Sequence, residues 1–342
     1  MDYLDSLFAD SRKVVAVVHS HPDGDAVGSA LALGLYLREK RGADVTVLLP
    51  DACPDSLAFL KGRELLVVAT ESPDRVGRIL EDADLLVGLD ISGFNRTGAL
   101  EPALSVLKCR KVLIDHHQEP DRASFDLVFS ETEISSTCEL LYSLLLKMPD
   151  VESPASLPEE ALYNLLVGMT TDTNNFANSV YPSTFVMASD IIAAGVDRDE
   201  ILYHLYRQYR ENRYRALGHV CSQLLTITPD GVAYVVLSKE DYARFELKEG
   251  ETEGFVNIAL EIADVNISLF LREDEGHYRV SIRSKKGYSA RALAKEYFNG
   301  GGHECASGGK LYFPKDIAAK GDAAAYIETV TARFLHRESP SE

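Results

Sequence analysis

Three short apolar runs in this chain each stop at an acid or a histidine. Val14–Val18 turns polar at His19, Leu85–Leu89 ends at Asp90, and Val112–Ile114 ends at Asp115. Short β-branched or leucine-rich runs bounded in this way are the pattern of buried parallel strands. In open α/β sheets the ligand crevice lies outside the carboxyl ends of the strands, so three strands that end this way bring their polar residues to one edge. The chain is therefore expected to be an α/β protein whose N-terminal parallel sheet carries a site along that edge.

Around these endings stand His19-Ser-His-Pro-Asp-Gly-Asp25, Asp90 and Asp115-His116-His117, and farther along comes Asp172. Carboxylates and imidazoles without cysteine suit hard to borderline divalent ions such as Mn²⁺ or Mg²⁺, whereas thiolate-rich sites suit zinc or iron–sulfur clusters. Two ions roughly 3.5–4 Å apart can hold and deprotonate a bridging water while neutralising charge on a phosphoryl group. A shared carboxylate is then required. Asp90, alone at the end of a central strand, is the candidate bridge between one ion held by His19 and Asp23 and another held by Asp25, His116 and Asp172. An aspartate after a strand is by itself more often a turn former or a helix cap. Four such motifs in order are hard to ascribe to turns.

On these residues the chain resembles the DHH phosphoesterase superfamily, which includes RecJ-like exonucleases, manganese pyrophosphatases and small-oligonucleotide hydrolases, and it does so nearly end to end. His19-x-x-x-Asp23-x-Asp25-Ala26 with Gly28-Ser29 is similar to the first motif of that family and Asp90 to the second. Asp115-His116-His117 is similar to the third and Gly168-Met-Thr-Thr-Asp172 to the fourth. The resemblance implies the ligand sets just given, two Mn²⁺ ions per active site with Mg²⁺ or Co²⁺ as substitutes, and His117 beside the ions and facing phosphate. His21 stands where relatives often carry asparagine or another polar residue, and it is left out of the ligands. Asp115 is read as a carboxylate that orients His116 or His117.

Downstream of Gly231 the texture changes. An amphipathic stretch, Ala290 to Phe298, precedes Gly300-Gly-Gly-His303-Glu-Cys-Ala306-Ser-Gly308-Gly309. Such a glycine run permits close backbone approach to a phosphate. It resembles the glycine-rich motif of the DHH-associated domain, which in the family closes over the active site. The resemblance implies that Gly301, Gly302 and His303 reach the substrate phosphate and that Arg283, closing the strand-like Tyr278 to Ile282, is a guanidinium clamp. Arg272, closing Val265 to Leu271, is a weaker candidate for the same task.

A chain of 342 residues, 46% hydrophobic, suits two domains. The expected division is a catalytic domain over 1–195, a helical connector over 196–228, a smaller α+β substrate-binding domain over 229–336, and a disordered tail over 337–342, with the active-site cleft between the two domains. The connector is rich in arginine and tyrosine: Tyr203, Tyr206, Arg207, Tyr209, Arg210, Arg213, Tyr214 and Arg215. Its plain reading is a solvated helix whose tyrosines pack on a neighbour; its sharper one is base stacking or phosphate contact. No run approaches the roughly 18 apolar residues of a membrane helix, and the start Met1-Asp2-Tyr3-Leu4-Asp5 lacks a basic leader, so a cytoplasmic protein is expected. Five cysteines, far apart and odd in number, argue against a disulfide framework.

The net charge of −18 narrows the substrate. Long nucleic acid is normally held by basic surface that releases counterions, and this surface has the wrong sign. An acidic enzyme can still take a few phosphates in a pocket made locally positive by metals, His117, His303 and Arg283. Chain length and first-motif spelling are most similar to the NrnA-type oligoribonucleases. That branch implies release of 5′-mononucleotides from very short RNA or DNA, dephosphorylation of 3′-phosphoadenosine 5′-phosphate, and a homodimer. A linear or cyclic dinucleotide phosphodiesterase or an exopolyphosphatase would use the same metal centre. A non-catalytic nucleotide sensor would lack a ligand or a bridge, and none is missing.

Overall fold

In the computed structural model, which describes residues 1–338, the strands of the N-terminal half are β1 (Lys13–Val17), β2 (Asp44–Leu49), β3 (Leu66–Val68), β4 (Leu85–Leu89), β5 (Arg110–Asp115) and β6 (Leu127–Ser130). They pair in the order β3-β2-β1-β4-β5-β6, every pair parallel. All of β4 and all but the first residue of β1 are buried, as central strands covered on both faces must be. From β1 the chain steps outward to β2 and β3, whereas β4 steps the other way to β5 and β6. The sheet therefore has its switch point between β1 and β4, where the carboxyl ends of the strands leave a crevice. His19 and Asp90 stand at those two ends.

The helix Gly24–Tyr36 follows β1 and is buried along its whole length. Asp23 caps it, accepting from the N–H groups of Asp25 at 3.1 Å and Ala26 at 3.0 Å. It packs against the helix Glu159–Asp172, and glycine permits the approach: a Cβ on Gly28 would lie 2.7 Å from Asn164 O, and one on Gly168 would lie 3.0 Å from both Asp25 Cα and Gly24 O. This packing brings Asp172, the last residue of the second helix, toward Asp25 in the first turn of the first.

The chain divides into two compact units, Met1–Gln208 and Tyr209–Glu342. The second is built on β7 (Thr226–Ile227), β8 (Val232–Leu237), β9 (Ile267–Glu273), β10 (His277–Ser284), β11 (Gly301–Gly302) and β12 (Ala306–Tyr312), in the order β11-β12-β10-β9-β8-β7. Only β8 and β9 run parallel; the other pairs are antiparallel. Period-2 alternation gives the sheet two apolar faces. Tyr234, Leu269, Leu271, Val280 and Ile282 pack with Leu293, Phe298, Ile327 and Phe334 on one side, and Val235, Leu237 and Phe270 pack with Val220 and Phe255 on the other.

The arginine- and tyrosine-rich stretch forms two helices, Arg198–Tyr206 at the end of the first unit and Glu211–His219 at the start of the second. Most of its arginines are used structurally. Arg210 makes a two-pronged bond to Glu251, with both N···O distances 2.7 Å. Arg213 donates to the carbonyls of Glu251 and Glu253 and lies over the rings of Tyr209 and Phe255. Arg215 pairs with Glu211 one turn back. Tyr203, Tyr209 and Tyr214 are exposed. All five cysteines are free thiols. The tail expected over 337–342 lies, from 339 on, outside the described residues. Among the described residues no helix is long and apolar enough to cross a membrane.

Candidate metal centre

The crevice at the switch point gathers donor atoms from four chain segments. The loop after β1 supplies His19 and Asp23, and the helix behind it supplies Asp25. The turn after β4 supplies Asp90, the end of β5 supplies Asp115, His116 and His117, and the end of the helix Glu159–Asp172 supplies Asp172. The donors fall into triads, two of which share Asp90: His19, Asp23 and Asp90; Asp25, His116 and Asp172; and Asp90, Asp115 and His117. Within each, one ligand atom per residue lies within 4.8 Å of the others.

Asp90 links the triads. Its Oδ2 is 3.4 Å from His19 Nε2, and its Oδ1 is 3.6 Å from His116 Nε2 and 3.2 Å from His117 Nδ1. His116 Nε2 also lies 3.6 Å from Asp172 Oδ2 and 3.9 Å from Asp25 Oδ2. The turn that aims this carboxylate is strained, with Asp90 at φ 61° and Ser92 at φ 53°, a region costly for residues with a Cβ.

His19 shows how the cluster is prepared for a cation. Its Nδ1 lies 2.9 Å from Ser20 O and donates to it, because a carbonyl only accepts. In the neutral ring the lone pair then sits on Nε2, which is buried, has no hydrogen-bond partner among the described residues, and faces Asp90 and Asp23, the latter at 3.8 Å. Separations of 3.4–3.9 Å are long for hydrogen bonds but natural for two donors each roughly 2.0–2.2 Å from one ion.

Electrostatics point the same way. Burial works against the His19 imidazolium, yet Asp23 and Asp90 outweigh it and push the pKa up to about 10. Burial also opposes charge on His117, where Asp90 and Asp115 raise the pKa to about 10. Burial, then Asp90 and Asp23, pushes Asp25 up to about 8, and burial with the carboxylates of Asp25, Asp23 and Asp90 lifts Asp172 well above the usual range. Five carboxylates thus share three imidazoles, and the cluster lacks positive charge. An all-oxygen-and-nitrogen donor set with this deficit fits divalent cations.

Residues 13–169 match the DHH family, N-terminal domain, and residues 229–327 match the DHHA1 domain. The chain belongs to the DHH family. Among curated DHH proteins it is 30% identical over 301 residues to the Thermus thermophilus bifunctional oligoribonuclease and PAP phosphatase NrnA, covering 87% of this chain and 84% of that one. The Bacillus subtilis protein of the same name is 27% identical, with 86% and 89% covered. An exopolyphosphatase-related protein from Bacteroides fragilis superposes with a TM-score of 0.91 at 32% identity, covering 98% of this chain and 96% of that one. More distant matches are the Bacillus subtilis cyclic-di-AMP phosphodiesterase GdpP, 26% identical over 88% of this chain but 45% of that protein, and Thermus thermophilus RecJ in complex with Mn²⁺. The latter, at 15% identity with a TM-score of 0.57, covers 98% of this chain and 54% of that one and shares the fold.

Within the DHH signature, Asp115 is fully buried and bonded to His117 twice: Oδ1 lies 2.9 Å from His117 Nδ1, and Oδ2 accepts the His117 N–H at 3.2 Å. His117 Nδ1 thereby carries a proton, and Nε2 lies 3.1 Å from Arg96 Nη1. Outside the cluster, His21 is exposed at φ 55°, with its N–H on Asp51 at 2.9 Å.

In the second unit, the β10–β12 register pairs Arg283 with Ala306, next to the turn that carries His303. His303 N–H donates to Ala306 O at 2.8 Å, and Arg283 Nη1 donates to Ile282 O at 3.0 Å and lies 3.5 Å from Ser307 O. His303 is exposed, as are Gly301 and Gly302. The glycines divide by purpose. A Cβ on Gly300 would lie 1.9 Å from Gly308 O and one on Gly309 would lie 2.3 Å from Phe298 O, so these two let backbones cross, whereas Gly301 faces open space. Arg272 stands apart from this group. It pairs across the ladder with Arg279, and its guanidinium grips Glu249 at 2.8 and 3.1 Å.

Two sets of contacts carried no sequence signal. The helix Thr137–Leu145, capped by Ser136, aims its first N–H groups at Asp25: Thr137 N–H donates to Oδ2 at 2.7 Å and Cys138 N–H to Oδ1 at 2.8 Å. Ser135-Ser136-Thr137 is legible as a helix start, but not the carboxylate it would hold. Arg96, six residues after Asp90, was likewise not marked by any motif.

Proposed function

We propose that this chain is a two-metal, Mn²⁺-dependent phosphoesterase that hydrolyses very short oligonucleotides to 5′-mononucleotides and converts 3′-phosphoadenosine 5′-phosphate to AMP. The observation that carries it is Asp90, whose two oxygens face separate donor groups, one holding His19 and the other His116. His19, Asp23 and Asp90 would hold one ion; Asp25, Asp90, His116 and Asp172 would hold the other. Bound divalent ions supply an activated water and neutralise charge on the phosphoryl oxygens. The side chains do the rest. Asp115 fixes the ring of His117 and Arg96 lies against its Nε2, so that His117 and Arg96 would face a phosphate oxygen together, while His303 and Arg283 would add donors for the same charge.

The two NrnA relatives support the oligonucleotide and PAP substrates, since each is matched over more than four-fifths of its length. The charge of −18 disfavours long strands. Likeness to a cyclic-di-AMP phosphodiesterase supports a second reading, dinucleotide hydrolysis at the same centre.

The test is a matched panel with Mn²⁺: RNA and DNA of two to twenty nucleotides, 3′-phosphoadenosine 5′-phosphate, cyclic dinucleotides and polyphosphate, with Asp90→Ala as control. Mononucleotide release fastest on the shortest oligomers and absent from Asp90→Ala is the expected result. Preference for cyclic dinucleotides would favour the second reading; preference for polyphosphate or long strands would overturn both.

A further inference from the structure

Beyond the metal ligands, the first unit holds a cavity of about 430 Å³ whose lining includes Ser92, Arg96, Glu101, Ser105, Glu119 and Asp121. That size falls within the roughly 300–1,000 Å³ of small-molecule sites. The cavity adjoins the metal ligands through two residues. Ser92 follows Asp90 by two positions, and Arg96 Nη1 is 3.1 Å from His117 Nε2.

Its walls are held in costly backbone conformations. Ser92 and Glu119 sit at φ 53° and 59°, and the Asp121 N–H donates to Ser92 O at 2.8 Å, tying the loop after β4 to the loop after β5. Such strain persists where the surroundings over-determine it, and it concentrates at ligand sites. Charge then limits the occupant. Among the described residues of the lining Arg96, at the His117 end, is the one cation, against the carboxylates of Glu101, Glu119 and Asp121. A phosphate is favoured at Arg96 alone. Beyond it the acids repel a second anion and accept hydrogen bonds from hydroxyl or amino groups.

We infer that this cavity receives the nucleoside adjoining the scissile phosphate. Ribose hydroxyls or base amino groups donate to the carboxylates, and Arg96 holds the phosphate beside His117. The inference rests on the proposed phosphoesterase activity and adds a selection: nucleotides fit this site, and polyphosphate, charged at every unit, does not.

Two substrates separate the possibilities on the full chain with Mn²⁺. One is the dinucleotide pApA; the other is bis(p-nitrophenyl) phosphate, a diester with no ribose or base. Ser105→Phe puts a ring into the cavity from an exposed helix position. The ratio of kcat/KM for pApA to that for bis(p-nitrophenyl) phosphate is expected to fall about tenfold or more, chiefly through KM. Glu101→Lys, also at an exposed position, exchanges an acid for a base and should tighten inhibition by tripolyphosphate about fivefold. Calorimetric titration with AMP reads the cavity without turnover, and Ser105→Phe should weaken that binding about fivefold or more. An unchanged ratio and unchanged AMP affinity in Ser105→Phe, or unchanged tripolyphosphate inhibition in Glu101→Lys should Ser105→Phe fail to fold, overturns the nucleoside site. A wild type that binds AMP and hydrolyses neither diester would overturn the phosphoesterase reading instead and leave the cavity in place.

Discussion

The backbone N–H of Thr137 donates to Asp25 Oδ2 at 2.7 Å, and the Thr137 hydroxyl donates to Asp90 Oδ1 at 3.0 Å. One residue at a helix N-terminus thus orients two carboxylates from different triads, where the helix dipole also favours their negative charge. Outer partners of this kind are worth about 10–100-fold in metal affinity. Thr137→Val keeps the N–H and the shape but loses the hydroxyl. Mn²⁺ affinity measured by calorimetry should weaken about tenfold, and unchanged affinity would show that Asp90 needs no such partner.

Asp90 is the position where one substitution should disturb both donor groups. Asp90→Asn retains the volume and removes the charge facing His19, His116 and His117. Loss of one electrostatic group at a reacting centre costs roughly 10²–10³ in rate. The turnover of pApA is expected to drop by at least that much, with fewer than two Mn²⁺ bound per chain by equilibrium dialysis. Two ions still bound at wild-type affinity would remove Asp90 from the bridging role.

Arg283 tests the second unit. Its guanidinium donates to Ile282 O, and its place across the ladder from Ala306 sets it beside the turn of His303. Arg283→Lys keeps charge and loses the planar fork. A several-fold rise in KM for pApA with little change in kcat is expected if the fork binds ground-state phosphate; an unaltered KM would leave Arg283 a purely structural residue.

What the sequence made legible was whatever local chemistry encodes. A buried parallel strand needs an apolar run, and a donor at its carboxyl end must be His, Asp or Glu, so His19, Asp90 and Asp115 stand out without knowledge of their neighbours. Asp25 and Asp172 were readable as motif members, but the helix packing that brings them together depends on Gly28 and Gly168, and a glycine in a helix has several meanings. The Thr137 amide left no trace because every residue has an N–H, and its partner lies 112 positions away. Arg272 looked like Arg283, an arginine ending a strand. Its engagement with Glu249 depends on where a loop 23 residues upstream comes to rest, which no local pattern records.

Gly168 should tolerate no side chain. A Cβ there would lie 2.3 Å from Cys138 Sγ and 3.0 Å from both Asp25 Cα and Gly24 O. Overpacking of a tight interior costs about 1–3 kcal/mol, here offset by up to about 1 kcal/mol from alanine's better helix propensity. Gly168→Ala should lower the urea midpoint accordingly and weaken Mn²⁺ binding, because relief of the clash displaces the segment bearing Asp25. A loss of stability with metal affinity intact would mean that the two helices separate without moving that carboxylate.

The metal-free protein should become less stable as pH rises from about 6.5 to 8. In the folded state Asp25 keeps its proton up to about 8, whereas an unfolded aspartate releases it near 3.8. His19 and His117 keep theirs up to about 10, against 6.5 for the unfolded imidazole. Across that window the native state binds more protons than the unfolded chain, so each step up in pH favours unfolding. Divalent cations oppose the dependence. They compete with those protons for the same ligands, so binding tightens and its stabilisation grows as pH rises. Melting temperatures at pH 6.5 and 8.0, in EDTA and in excess Mn²⁺, read both slopes: a fall with pH in EDTA, and an increment from Mn²⁺ that is larger at pH 8.0. A melting temperature that climbs with pH in EDTA would mean that the carboxylates are already neutralised by groups of the chain itself and that the cluster has no charge deficit for metal to fill.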